Sequence, residues 1–109
     1  MSEQAPDYGG GGFADPDRLA GIAKRLQSYT DQLSGHATLE IRAWDDGSLE
    51  AELIHTLGFT AGVGEVGAGA AKEAIVYNTE TGQIEYHEYI ARNGRRDMQA
   101  REVLEGESP

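Results

Sequence analysis

The stretch ATLEIRAWDDGSLEAELIHTL, residues 37–57, decides the reading of the fold. Two runs of alternating apolar and polar residues, Ala37–Trp44 and Ser48–Leu57, flank Asp45, Asp46 and Gly47. Period-two alternation marks half-buried strands, and Asp-Gly between them marks a hairpin. The faces choose the register. A two-residue Asp46-Gly47 loop sets Ala43 opposite Glu50 and Ile41 opposite Glu52, mixing apolar with charged. A three-residue loop with Gly47 left-handed sets Ala43 opposite Leu49, Ile41 opposite Ala51 and Leu39 opposite Leu53. That choice gives one apolar face, and it predicts Arg42 opposite Glu50, Glu40 opposite Glu52 and Thr38 opposite Ile54 on the outer face.

The same test applies to Lys72–Asn78 and Gln83–Ala91, which flank Thr79, Glu80, Thr81 and Gly82. A four-residue loop ending in left-handed Gly82 sets Tyr77 opposite Ile84 and Ile75 opposite Tyr86. The reverse carries Val76 opposite Glu85 and Ala74 opposite His87, with Tyr89 beyond. Upstream, Asp15 caps a helix, Pro16 suits its first position, and Asp17 suits the positive end of its dipole. Leu19, Ile22, Leu26, Tyr29 and Leu33 make one apolar stripe, and Gly35 stands where a C′ glycine ends a helix. Arg95–Glu105 has weak helical character around Met98, Val103 and Leu104.

These elements predict an α+β, two-layer fold. An N-terminal amphipathic helix packs on an antiparallel sheet of two β-hairpins, followed by a short C-terminal helix. The expected core joins Leu26, Ile41, Leu53, Ile75 and Tyr86. Residues 1–14 hold Gly9 to Gly12 and read as a flexible arm, residues 15–105 as one domain, and residues 106–109 as a frayed tail. The second hairpin and the Arg95, Arg96, Asp97 and Met98 that follow it loosely resemble small helix-plus-meander modules, such as the PepSY type and a gas-vesicle accessory family. The likeness covers a minor part of the chain and assigns no family.

A length of 109 residues carries one modest core, and 39% hydrophobic with 26% charged residues is a globular composition. Nineteen acidic against nine basic residues give a net charge of −10, which opposes direct binding to nucleic acid or anionic membranes. Lysine is confined to Lys24 and Lys72, a balance that a high-salt cytoplasm favours and that a nucleic-acid mimic would also show. There is no cysteine, so disulfides, thiolate metal sites and cysteine nucleophiles are excluded. The start lacks the basic and apolar regions of a secretory signal, and no apolar run is long enough to span a bilayer, so the expected location is the cytoplasm.

Chemistry has few places to sit. Residues 58–69 contain Gly62-x-Gly64-x-x-Gly67, which matches the dinucleotide fingerprint by letters. The motif works only inside a βαβ unit, and no such unit fits here, so no cofactor is expected. This reads as a mobile loop in which Phe59 and Val63 have no place in the core, as if awaiting a partner. His36, His55 and His87 share no metal-ligand spacing, and no metal is expected. Glu40 and Glu52, opposed on the outer face, are candidates for holding a cation or for acid/base work; the ordinary alternative is a solvated pair. No residue has the pattern of a catalytic nucleophile.

The stronger signal is apolar. Trp44, Ile54, Val76 and Tyr89 fall on the outer face beside Arg42 and His87, a composition suited to anchoring a partner. The leading expectation is a small acidic cytoplasmic protein-interaction module, acting by homo-oligomerisation or by docking a protein partner through that face. The alternatives are a small-molecule or cation-binding domain, or a small enzyme, using the glycine-rich loop with Glu40, Glu52 or His87, and an acidic nucleic-acid mimic that inhibits another protein.

Overall fold

The computed structural model describes residues 15–62 and 67–106. Most of the expected arm and tail, and Val63, lie outside the described residues. Helix α1 spans Pro16–Gln27. It is followed by strands β1 (Thr38–Ala43), β2 (Leu49–Thr60), β3 (Gly69–Tyr77), β4 (Ile84–Arg92) and β5 (Arg95–Glu105). The strands form one antiparallel sheet in the order β1-β2-β3-β4-β5, each pairing with its neighbour in sequence.

Both hairpin registers agree with the sequence reading. Ala43 faces Leu49, Ile41 faces Ala51 and Leu39 faces Leu53; Tyr77 faces Ile84 and Ile75 faces Tyr86. Gly47 (φ 90°) and Gly82 (φ 76°) are left-handed, as the loops require. A β-branched residue resists that region, so Gly82→Val should destabilise by about 1–2 kcal/mol, read as a lower denaturation midpoint; an unchanged midpoint would show the turn to be uncoupled from folding.

The end of the chain differs from the expectation. Arg95–Glu105 is a strand, not a helix, so the expected two-layer arrangement of a helix on two hairpins with a closing helix gives way to a single five-stranded meander. The cause is the turn before it. Asn93 (φ 52°) and Gly94 (φ 71°) are both left-handed, as a tight two-residue hairpin demands, and Asn-Gly is the residue pair that favours it. The period-two signal of β5 is blurred because its pairing slips at Ile84/Glu85 and again at Glu88/Tyr89.

Two other boundaries move. The helix ends at Gln27, not at Gly35: the Ser28 hydroxyl donates to the Arg25 carbonyl (2.6 Å) and the Thr30 hydroxyl to that of Gln27 (3.1 Å). Such side-chain bonds compete with the helical ladder, and a 3₁₀ turn at Thr30–Gln32 follows. The glycine-rich loop is also shorter than expected, because β2 passes through a bulge between Thr56 and Gly58 and runs on to Thr60. Phe59 therefore belongs to β2. At Gly69, where β3 starts, a Cβ would stand 2.8 Å from Ile90 Cγ2 and 2.9 Å from the Ala91 oxygen, so only glycine admits the β4 backbone so closely.

Asp15 caps α1 by accepting from the Asp17 amide (2.9 Å). The stripe then buries Ile22, Leu26 and Leu33 against Leu49, Ala51, Leu53, Ile75 and Ile84, with Leu19, Tyr29, Tyr77 and Tyr86 packed around them. Ile41, expected in this core, is 37% exposed, because β1 lies at the edge of the sheet and the helix packs over β2 and β3. Among the described residues no helix is long and apolar enough to cross a membrane.

Candidate functional site

The outer face is the side that α1 leaves open, and paired charges dominate it. Glu52 lies opposite Glu40 as the register predicts, yet the two do not form a carboxylate pair. Glu52 is buried and takes a bidentate bond from Arg96 (2.8 and 2.6 Å), while Glu40 lies 3.8 Å from Arg42. Arg96 also stacks over the Tyr89 ring at 4.4 Å. Its guanidinium is held still more firmly protonated by the Glu52 bonds, and burial pushes the Tyr89 phenol up.

The Arg96–Glu52 contact reports the shape of the sheet. β5 and β2 are three strand spacings apart, about 14 Å in a flat sheet and beyond an arginine's reach. The contact forms because twist, accentuated by the two slips between β4 and β5, curls the β4–β5 turn over the outer face. The face is thereby concave, with a groove on each side of Arg96. One, of about 600 Å³, is lined by Ile54, Phe59, Lys72, Arg92, Arg95 and Glu40 among others. The other, of about 400 Å³, is lined by Arg42, Glu50, Val76 and Asn78 among others.

Further along β4, Glu85 is buried and accepts from Arg101 Nε and Nη2 (2.8 and 3.0 Å) and from Asn78 (3.0 Å), with His87 Nε2 at 2.8 Å. The Arg101 bonds, helped by those of His87 and Asn78, outweigh desolvation and hold its carboxyl down at about 2. On the helix side, the Tyr86 hydroxyl lies between Glu73 (2.9 Å) and Glu88 (2.7 Å), and burial together with those two carboxylates pushes its phenol far up. Glu73 also accepts from the Ser34 amide, and His55 Nδ1 contacts the His36 carbonyl oxygen (2.7 Å). Among the described residues no group of three His, Asp or Glu side chains is placed to hold a metal ion.

The expected interface residues are therefore divided. Tyr89 is buried under Arg96, Ile54 and Val76 sit half-buried in separate grooves, and His87 is half-buried against Glu85. Arg42 and Trp44 are exposed, Trp44 beside Asp46, Ser48 and Thr79 at the end of β1. Phe59 is 85% exposed on the outer face.

The sequence reading missed the edge itself. Among the described residues β1 pairs only with β2. The Trp44 amide donates to the Ser48 carbonyl (2.9 Å), so it points into the sheet. Alternation then turns the amide and carbonyl groups of Ala43, Ile41 and Leu39 outward, where none of the described strands lies beside them. Neither proline, bulge nor lysine interrupts this strand; its two charges, Glu40 and Arg42, lie on the outer face, and Leu39 and Ile41 are exposed along it. The opposite edge, β5, is guarded by Arg95, Arg96, Asp97, Arg101 and Glu102 and by two slips in its ladder. No family model, curated protein or solved structure matches this chain.

Proposed function

We propose that this chain is a non-catalytic protein-interaction module of the cytoplasm that assembles by adding a strand at its β1 edge, with Trp44 as an anchor beside it. One observation carries the reading. β1 presents a row of outward backbone groups together with exposed Leu39, Ile41 and Trp44, and an open edge bearing apolar side chains is a template for another strand. The outer-face carboxylates support a structural role over a catalytic one, since Glu52 and Glu85 are both committed to arginines.

Light scattering across a dilution series tests this. The wild type should exceed the mass of one chain, and Ile41→Lys should return it to that mass with the fold retained, as circular dichroism reads it. Trp44→Ala should weaken assembly by more than about 1 kcal/mol, as loss of an aromatic anchor does. A wild type with the mass of one chain at every concentration, or an assembly indifferent to Ile41→Lys, would overturn the reading.

A further inference from the structure

We infer that the strand added at β1 is β1 of a second copy of this chain, antiparallel and centred on a two-fold axis at Ile41; the inference rests on the edge reading above. Three properties of the strand are met together in this register, and charge is the one that separates it from its neighbours. The first is hydrogen bonding: Leu39, Ile41 and Ala43 carry the outward amides and carbonyls, and centring at Ile41 lets Ile41 bond its own copy while Leu39 bonds Ala43 of the second chain. The second is charge. On the outer face the same centre sets Glu40 opposite Arg42 and Arg42 opposite Glu40, two opposite-charge pairs created by one symmetry operation. The third is polarity. On the helix-facing side it sets Ile41 against Ile41 and Leu39 against Ala43, covering the two exposed apolar residues of the edge.

Neighbouring registers fail one or more of these conditions. Centring at Glu40 opposes Glu40 to Glu40 and centring at Arg42 opposes Arg42 to Arg42, so each replaces the opposite-charge pairs with a like-charge one. A shift of one residue sets the outer face of one copy against the helix-facing side of the other. In the selected register Trp44 lies opposite Thr38 of the second copy, whose own cross-strand neighbour is Ile54. Glu40 and Arg42 are thus the specificity residues, because only a strand with the reversed charge order matches them.

The chain lacks cysteine, so one introduced thiol has no competitor. Under mild oxidation Ile41→Cys should run as a linked dimer, since directly opposed residues fall within disulfide range. Glu40→Cys and Arg42→Cys meet their own copies only along a diagonal of about 7–8 Å and should link far less. Glu40→Arg and Arg42→Glu should each weaken self-association roughly tenfold by opposing like charges, and an equimolar mixture of the two variants should regain wild-type association as a heterodimer. Preferential linking of Glu40→Cys, or a mixture no stronger than its components, overturns the register. An assembly that Ile41→Lys dissolves but Ile41→Cys does not link refutes the register and leaves the edge reading standing. A wild type with the mass of one chain refutes both.

Discussion

Leu26→Ala should lower the stability of the fold by about 2–5 kcal/mol, among the largest losses any single truncation here would cause. Leu26 is wholly inaccessible to solvent and packs beside Ile22 on the face that α1 turns to Leu49, Leu53 and Ile75, with Leu33 beyond the helix in the same cluster. Removing its side chain forfeits the transfer energy of the buried carbons and leaves a cavity that a sheet pinned by its ladders cannot collapse to fill. The helix is held at its other flank by polar contacts that the substitution leaves in place. Arg25 donates to Glu105 and to the Gly82 carbonyl, each at 2.8 Å, and the Tyr29 hydroxyl donates to Glu105 at 3.1 Å. Chemical denaturation of both proteins measures the loss. A midpoint unmoved by Leu26→Ala would mean that α1 does not dock on the sheet.

Acid should remove a further contribution of about 3 kcal/mol between pH 4.5 and pH 2, and Arg101 should be its source. The Glu85 carboxyl, ordinarily at 4.5, is held at about 2 in the folded chain, chiefly by Arg101. As pH falls the unfolded chain therefore takes up this proton first. Stability from Glu85 is complete above pH 4.5, declines below it, and is gone once pH passes about 2. Arg101→Met removes the main cause while leaving a carboxylate that is 1% exposed, so it should cost about 2–3 kcal/mol at neutral pH and flatten the acid limb. Denaturant midpoints taken from pH 7 to pH 2 check this. Acid limbs of equal slope in the wild type, Arg101→Met and Glu85→Gln would rule Glu85 out as the responsible group.

Local pattern was enough where an element had one face to bury. The two hairpin registers were legible down to single residues because a shift by one would have set Glu50 and Glu52 opposite Ala43 and Ile41 in the first, and would have parted Tyr77 and Ile75 from Ile84 and Tyr86 in the second. The helix stripe was legible for the same reason. Its end was not, because Ser28 and Thr30 break the helix through their own hydroxyls while the apolar spacing continues past them. The fifth strand escaped because two slips destroy its alternation, although Asn93-Gly94 carried the signal that announces it. The candidate site was the least legible part. Whether Ile41 is core or edge depends on strand order, and nothing within residues 37–57 states which strand lies outermost. Pairing Glu52 with Arg96 required the curl of the whole sheet, so the expected Glu40–Glu52 carboxylate pair gave way to two arginine-bound carboxylates.

Strand order that copies chain order also governs how this protein reaches its structure. No strand waits for a distant segment to arrive, and each ladder closes over the short connection that precedes it. Loop closure therefore withdraws little entropy before each new pairing is rewarded, and the sheet has low contact order for a β-rich chain. Formation by successive zipping, one hairpin templating the next, should place this domain among the faster-folding sheets of its size, with the closing of Arg25 and Tyr29 onto Glu105 of β5 as its most distant step.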